Sequence, residues 1–267
     1  VGSEMCIRDR YTEVFQMILD KFKLDGKVAI VTGSDTGLGQ GFCRAFAEAG
    51  AKVMGVSKVS SEETLKIIGE DKFAFMTEDL STLEPIDRII ETTLAKYGKI
   101  DILVNNAGVI KREDCIDFAE SSWDLVMNVN ARTLFFLSQA VARQFMKQKS
   151  GGKIISVASM LSYQGGIRVP SYTASKSAVR GITMSMANEW AQYGINVNAI
   201  APGYMATNNT QALRADAQRS EAILDRIPAG RWGTPDDIMG AAVFLASSAS
   251  DYVNGFTIAV DGGWLGR

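Results

Sequence analysis

Tyr172 and Lys176 stand four residues apart in the stretch YTASK (172–176) of a 267-residue chain that contains no histidine. On a helix, positions four apart share a face, so both polar heads point at one spot. Proton transfer near neutral pH then falls to a phenol, because no imidazole is available. An isolated phenol titrates near ~10 and a lysine near ~10.4, and a cation held beside the phenol favours phenolate. Bringing the phenol to about 7 takes a shift of roughly 3 units, or about 4 kcal/mol. The ammonium and one further positive charge in a partly dry cleft are of the right order to supply that. Such a group takes a proton from an alcohol or returns one to a ketone. Ser159 lies thirteen positions before Tyr172, at the end of KIISVAS. Ligands bind at the carboxyl ends of parallel strands, so its hydroxyl can hold a substrate oxygen beside the phenol. Asn130 sits inside a helical stretch, where asparagine is a poor helix former, which points to a task such as fixing a water next to Lys176. Each residue type is ordinary on a protein surface; the joint arrangement carries the argument.

A second site precedes these residues. TGSDTGLG (32–39) lies between an apolar strand and a helix, with Gly33, Gly37 and Gly39 spaced G-x-x-x-G-x-G around Asp35, Thr36 and Leu38. Glycines let the backbone turn tightly and approach a pyrophosphate, and the helix N-terminus offers free N–H groups to it. The turn reads as a dinucleotide site. An acid at the end of the second strand would favour an unmodified ribose, whereas a base there would favour a 2′-phosphate. That strand ends in Ser57 followed by Lys58, and Thr36 is not basic. The signals conflict; the reading leans to NAD and leaves NADP open. Asp79, followed by Leu80 after the third strand, reads equally as an acceptor for an adenine amino group or as a helix cap.

These residues need a scaffold. KVAIVTG (27–33), AKVMGV (51–56), KFAFMT (72–77), DILVNNAG (101–108), GKIISVAS (152–159), INVNAIAPG (195–203) and FTIAV (256–260) read as strands. Between them 38–50, 60–69, 84–98, one long segment 121–147, 171–193 and 235–246 read as helices. This alternation predicts an α/β single domain, a doubly wound Rossmann-like parallel sheet of about seven strands with helices on both faces. The polar excursion at 204–225 reads as a lid over substrate. Residues 1–16 begin at valine and mix charges without an apolar signal core, so they are expected to be an extension, with the domain running over 17–267.

Composition narrows the partners. The 28 basic and 30 acidic residues nearly cancel, which gives no general field for nucleic acid or an anionic membrane. No apolar run reaches the roughly 20 residues of a membrane helix. Cys6, Cys43 and Cys115 are too scattered for a zinc cluster or disulfide framework, and fit free thiols in a reducing, cytoplasmic compartment. No metal site is expected.

In order, TGSDTGLG, NNAG (105–108), Asn130 in MNVNA, Ser159, YTASK and PG (202–203) resemble the short-chain dehydrogenase/reductase family over essentially everything after Met17. The resemblance implies an Asn130–Ser159–Tyr172–Lys176 tetrad and hydride transfer to or from a nicotinamide. It implies cofactor contacts along Asn106, Ala107 and Gly108 and around Pro202, Gly203 and Met205. Thr207 would meet the nicotinamide side, and Lys176 and Tyr172 the ribose. GGIRVPSYTASKS, APGYMATNNTQALRADAQRSEAILDRIPAGRWG and DYVNGFTIAVDGGWL resemble members of the family that oxidise deoxy sugar acids reversibly with NAD. That resemblance implies a small-molecule sugar-acid substrate, service in the breakdown of pectin-type uronic acids, and a homotetramer. A carboxylate wants an arginine, which clasps it with two parallel bonds. Arg168, four residues before Tyr172, and Arg112, after NNAGVIK, are the candidates; Gln164 and Asn208 are candidates for sugar hydroxyls. The alternatives are a 3-oxoacyl carrier-protein reductase and, in another class, a non-catalytic NAD sensor.

Overall fold

The structure, a computed structural model, describes residues 17–267; the extension expected at residues 1–16 lies outside the described residues. Seven strands form one sheet: β1 (Val28–Thr32), β2 (Lys52–Ser57), β3 (Phe73–Thr77), β4 (Ile102–Asn105), β5 (Gly152–Val157), β6 (Ile195–Pro202) and β7 (Thr257–Val260). Their order is β3-β2-β1-β4-β5-β6-β7, and every pairing is parallel. The order reverses between β1 and β4. At such a switch point the loops leave the carboxyl edge in opposite directions and open a crevice.

Alternate strand positions feed opposite faces, as a period of two requires. Ala29 and Val31 pack with Phe42 and Phe46 of α1 (Gly37–Glu48) and with Ile238 and Leu245 of α9 (Pro235–Ala246). Ile30 and Leu103 pack on the other face. Their partners are Ile89 of α3 (Pro85–Tyr97), Phe145 of α5 (Leu134–Gln148) and Met186 of α6 (Pro170–Trp190). Each fully buried phenylalanine contributes about 2–3 kcal/mol, so the two faces share the drive to collapse. Cys43 is on the buried face of α1 and Cys115 is exposed; both are free thiols. Among the described residues no helix is long and apolar enough to cross a membrane, and no cluster of potential metal ligands forms.

The single helix expected over 121–147 is divided. α4 (Glu120–Met127) passes through a π-helical turn (Asn128–Thr133) into α5. Such wide turns concentrate at functional sites, where they re-aim one side chain. Asn130 lies in this one and is fully buried.

The 204–225 excursion contains two short helices, α7 (Gln211–Ala215) and α8 (Ala217–Leu224). Its apolar residues Leu213 and Ile223, with Ile227 just beyond, pack with Met160 and Trp264. Tyr204 stands at the foot of the excursion, with ring centroids 4.9 Å from Trp264 and 5.4 Å from Trp232.

Candidate active site

The cleft at the switch point has a volume of about 340 Å³. One end is the phosphate turn. Gly33 and Gly37 have φ of +68° and +58°, a region that glycine enters freely. At Gly39 a Cβ would stand 1.8 Å from the Gly33 carbonyl oxygen, so only glycine lets α1 approach the end of β1 this closely. Thr36, at the N-cap of α1, makes no side-chain capping bond. The first N–H groups of α1 are thus left for an anion in the cleft, which fits the pyrophosphate of a dinucleotide. Asn106 locks the turn from the side: its Nδ2 donates to the carbonyls of Thr32 at 2.9 Å and Gly33 at 3.1 Å. The Asn106 and Ala107 N–H groups both donate to Thr32 Oγ1.

The other end holds Ser159, Tyr172 and Lys176. Ser159 follows β5, and its Oγ accepts from the Leu161 N–H at 3.1 Å. Tyr172 and Lys176 sit in the first two turns of α6, on one face as their spacing requires. Lys176 Nζ lies 5.6 Å from the Tyr172 ring centroid and donates to the Val157 carbonyl at 2.6 Å. Asn130 Oδ1 accepts from the Val109 N–H at 2.8 Å. Its Nδ2 donates to the Val109 carbonyl at 2.9 Å and to Ser175 Oγ at 3.0 Å. The amide that suggested a water-fixing group is therefore spent on lashing the loop after β4 to α6. A Cβ on Gly108 would stand 3.3 Å from Asn130 Oδ1 and 3.6 Å from Lys176 Nζ, so the glycine keeps this junction tight.

The electrostatics differ from the sequence expectation of a phenol near neutrality. Burial pushes the Tyr172 phenol above its ordinary value, and the Ser159 hydroxyl and the Arg112 guanidinium oppose this only in part. Burial also pushes Lys176 down to about 8. Desolvation penalises both charged forms, and the ammonium is directed at a main-chain oxygen.

The expected cofactor positions divide. Asp35, Thr36, Leu38, Ala107, Pro202, Gly203, Met205 and Thr207 line the cleft with the glycines. Ser57, Lys58, Asp79 and Leu80 lie at the carboxyl ends of β2 and β3, beyond that lining. Ser57 is buried with its Oγ 3.2 Å from Ser34 Oγ, and Lys58 Nζ lies 2.8 Å from Asp79 Oδ2. Val109, Val157, Ala158, Asn209 and Thr210 also line the cleft, without a motif of their own in the sequence. The first two adjoin β4 and β5 at their carboxyl ends, where strand polarity alone points.

The candidate substrate residues divide too. Arg112 lies beyond the cleft lining, and its Nη2 donates to the Asn209 carbonyl at 3.2 Å, which joins the loop after β4 to the excursion after β6. Asn208 lines the cleft, with Nδ2 3.5 Å from Thr36 Oγ1. Arg168 instead pairs with Asp114 at 2.9 Å, and its carbonyl accepts from the Glu113 N–H at 3.0 Å. Gln164 lies in the loop between Ser159 and α6 and does not line the cleft.

A Rossmann-like crevice with a phosphate turn at one end and a serine, phenol and ammonium at the other defines an oxidoreductase dependent on a nicotinamide dinucleotide. A family model described as enoyl-(acyl carrier protein) reductase matches residues 33–265, and the chain belongs to the short-chain dehydrogenase/reductase family. It is 64% identical over 254 residues to the 2-dehydro-3-deoxy-D-gluconate 5-dehydrogenase of Dickeya dadantii, across 94% of this chain and 100% of that one. An NADP-bound crystal structure of an Agrobacterium tumefaciens protein is 52% identical, with a TM-score of 0.85, across 93% of this chain and 100% of that one. The gluconate 5-dehydrogenase of Burkholderia cenocepacia, in complex with NADP and tartrate, is 39% identical, with a TM-score of 0.88, across 94% of this chain and 100% of that one.

The Lys176 value has a thermodynamic consequence. Its folded pKa of about 8 lies below the ordinary 10.5, so between these values the unfolded chain binds more protons and stability rises with pH. The Lys176→Met variant has no proton to exchange at this position. Relative to that variant, the native chain should gain about 2 kcal/mol between pH 7 and pH 10, measured by denaturant unfolding at both pH values. A pH-independent difference would mean that Lys176 keeps its ordinary pKa in the fold.

Proposed function

We propose that this protein transfers a hydride between NAD(P)(H) and a secondary alcohol or ketone of a deoxy sugar acid, as a 2-dehydro-3-deoxy-D-gluconate 5-dehydrogenase. The observation that carries the reading is the convergence of Ser159, Tyr172 and Lys176 at one end of a cleft whose other end is the phosphate turn. The 64% identity to the Dickeya dadantii enzyme supports the substrate class. The nicotinamide, when bound, supplies or accepts the hydride. For reduction, the Tyr172 phenol gives its proton to the carbonyl oxygen, and its raised pKa suits a group protonated at neutral pH. For oxidation, the same oxygen takes the alcohol proton as phenolate, and the adjacent positive charges lower the cost of that form. Ser159 holds the reacting oxygen, Lys176 the cofactor ribose, and Asn130 keeps the loop at 108–109 against α6.

We place the substrate carboxylate at Arg112. Its charge reaches the Tyr172 phenol, and its side chain crosses to the excursion after β6, whereas Arg168 is engaged with Asp114. Sugar-acid chemistry of this type fits the breakdown of pectin-type uronic acids in the cytoplasm. Exposed apolar side chains at Phe136, Met184 and Phe256 fit burial between copies in a homotetramer. Light scattering should give the mass of four chains, and a monomeric mass would remove that part of the reading.

The decisive experiment is a panel of keto-deoxy sugar acids, neutral ketones and an acetoacetyl thioester, each with NADH and NADPH. The sugar acid should turn over fastest; reaction of the thioester alone would transfer the protein to fatty-acid chemistry. In the same assay Tyr172→Phe should lose roughly 10²-fold to 10⁴-fold in kcat with dinucleotide affinity kept, and retention of most activity would exclude the phenol as acid/base. Arg112→Ala should raise KM for acidic substrates roughly tenfold or more and leave neutral ketones unaffected, while Arg168→Ala should not discriminate between them. The reverse pattern would move the carboxylate to Arg168.

A further inference from the structure

The chain runs from Ser159 to Tyr172 through a segment that opens with one tight turn (Met160–Ser162) and is otherwise irregular until α6 begins at Pro170. The spacing between the hydroxyl that holds the reacting oxygen and the phenol that exchanges its proton therefore depends on how this segment is tied down. Near its far end Arg168 is held by the Glu113 N–H and by Asp114. Nearer its start the Arg180 guanidinium lies 4.8 Å from the Tyr163 ring centroid. Neither attachment involves Ser159, Tyr172 or Lys176.

A third attachment does. Ser162 is buried, and its hydroxyl is bonded on both sides. It donates to the Lys176 carbonyl at 2.6 Å and accepts the Ser159 N–H at 3.3 Å. Among the described residues that N–H has no other acceptor. One side chain thus bridges the main chain of Ser159 and that of Lys176, and Tyr172 stands one helical turn before Lys176. The Ser159 hydroxyl takes its direction from the Leu161 N–H at 3.1 Å, within the turn that Ser162 closes. On the neighbouring residue of α6, Ser175 Oγ accepts from Asn130 and donates to the Tyr172 carbonyl at 2.8 Å. Asn130 secures α6 to the loop after β4; Ser162 secures it to the residue that holds the substrate.

We propose that Ser162 is a positioning residue of the reaction: its hydroxyl sets the distance and angle between the Ser159 hydroxyl and the Tyr172 phenol. An oxygen held by the first then lies in line with the proton of the second. A misplacement of about 1 Å costs roughly 10²-fold in rate, so a buried hydroxyl that touches no substrate can control kcat. The inference rests on the hydride-transfer reading of the cleft and adds to it the residue that sets the geometry.

The test is oxidation of 2-dehydro-3-deoxy-D-gluconate by the full chain with NAD and with NADP, read as kcat and KM, with the dinucleotide Kd measured alongside. Ser162→Ala should lower kcat roughly tenfold to hundredfold and leave KM and the dinucleotide Kd unchanged. Ser162→Thr, which keeps the hydroxyl, should recover most of the loss. In a Ser159→Ala background the cost of Ser162→Ala should shrink to less than about threefold, because no held oxygen remains to be misplaced. An unchanged kcat in Ser162→Ala overturns the proposal, as does a Ser162→Thr variant as slow as Ser162→Ala. Loss of dinucleotide affinity together with kcat, or a cost that persists in full without the Ser159 hydroxyl, overturns it too, because Ser162 would then be a general prop of the fold. If the native chain oxidises no sugar acid, the hydride-transfer reading itself fails, a result distinct from an unchanged kcat.

Discussion

The close approach of α1 to the end of β1 is the constraint on which the cofactor half of the site depends. Gly39 lies so near the Gly33 carbonyl that a single methyl group has no room. The approach carries the uncapped N–H groups of α1 to the switch point of the sheet, where the order turns from β1 to β4. Asn106 then fastens the end of β4 to the same turn through two main-chain oxygens. Two neighbouring strands and a helix become one rigid piece, and its polar floor is backbone. An anionic ligand there meets fixed dipoles that need no reorganisation.

The chemical half is built by the opposite means, side chains fixing main chain. Asn130 uses three hydrogen bonds to tie the loop after β4 to α6, and Lys176 uses one to reach the end of β5. Ser162 adds another, donating to the Lys176 carbonyl at 2.6 Å. The phenol and ammonium are thereby held in a drier setting than their sequence spacing conveys. Dryness raises the cost of charge on both, so the acid/base group rests in its neutral form.

The sequence displayed the scaffold because hydrophobic period and turn chemistry are local. Seven apolar runs with helical segments between them specify a parallel sheet, and the glycines at 33, 37 and 39 stand where that sheet needs them. The π-helical turn at Asn128–Thr133 was illegible, since one added residue leaves the apolar pattern of a long helix almost intact. The surroundings of Arg168 were not legible either, for a physical reason. Four-residue spacing places side chains together only within a helix, and Arg168 precedes the start of α6 with φ at +64°, so its side chain turns towards Asp114. The pairing of Lys58 with Asp79 joins the ends of two strands and follows from their register, which no local pattern encodes. The pKa shifts were equally hidden, because they arise from burial by segments far apart in the chain.

The excursion after β6 is tied down by an aromatic hub of Tyr204, Trp232 and Trp264, with the Arg226 guanidinium 4.3 Å from the Trp264 ring centroid. Two of the four tryptophans of the chain stand in this hub, and its apolar neighbours reach Met160, next to Ser159. Indole emission responds to the polarity around the ring and to a nearby cation. Any displacement of the excursion over a bound sugar would therefore change the intrinsic fluorescence of the protein, and its opening and closing could be timed optically without attaching a dye.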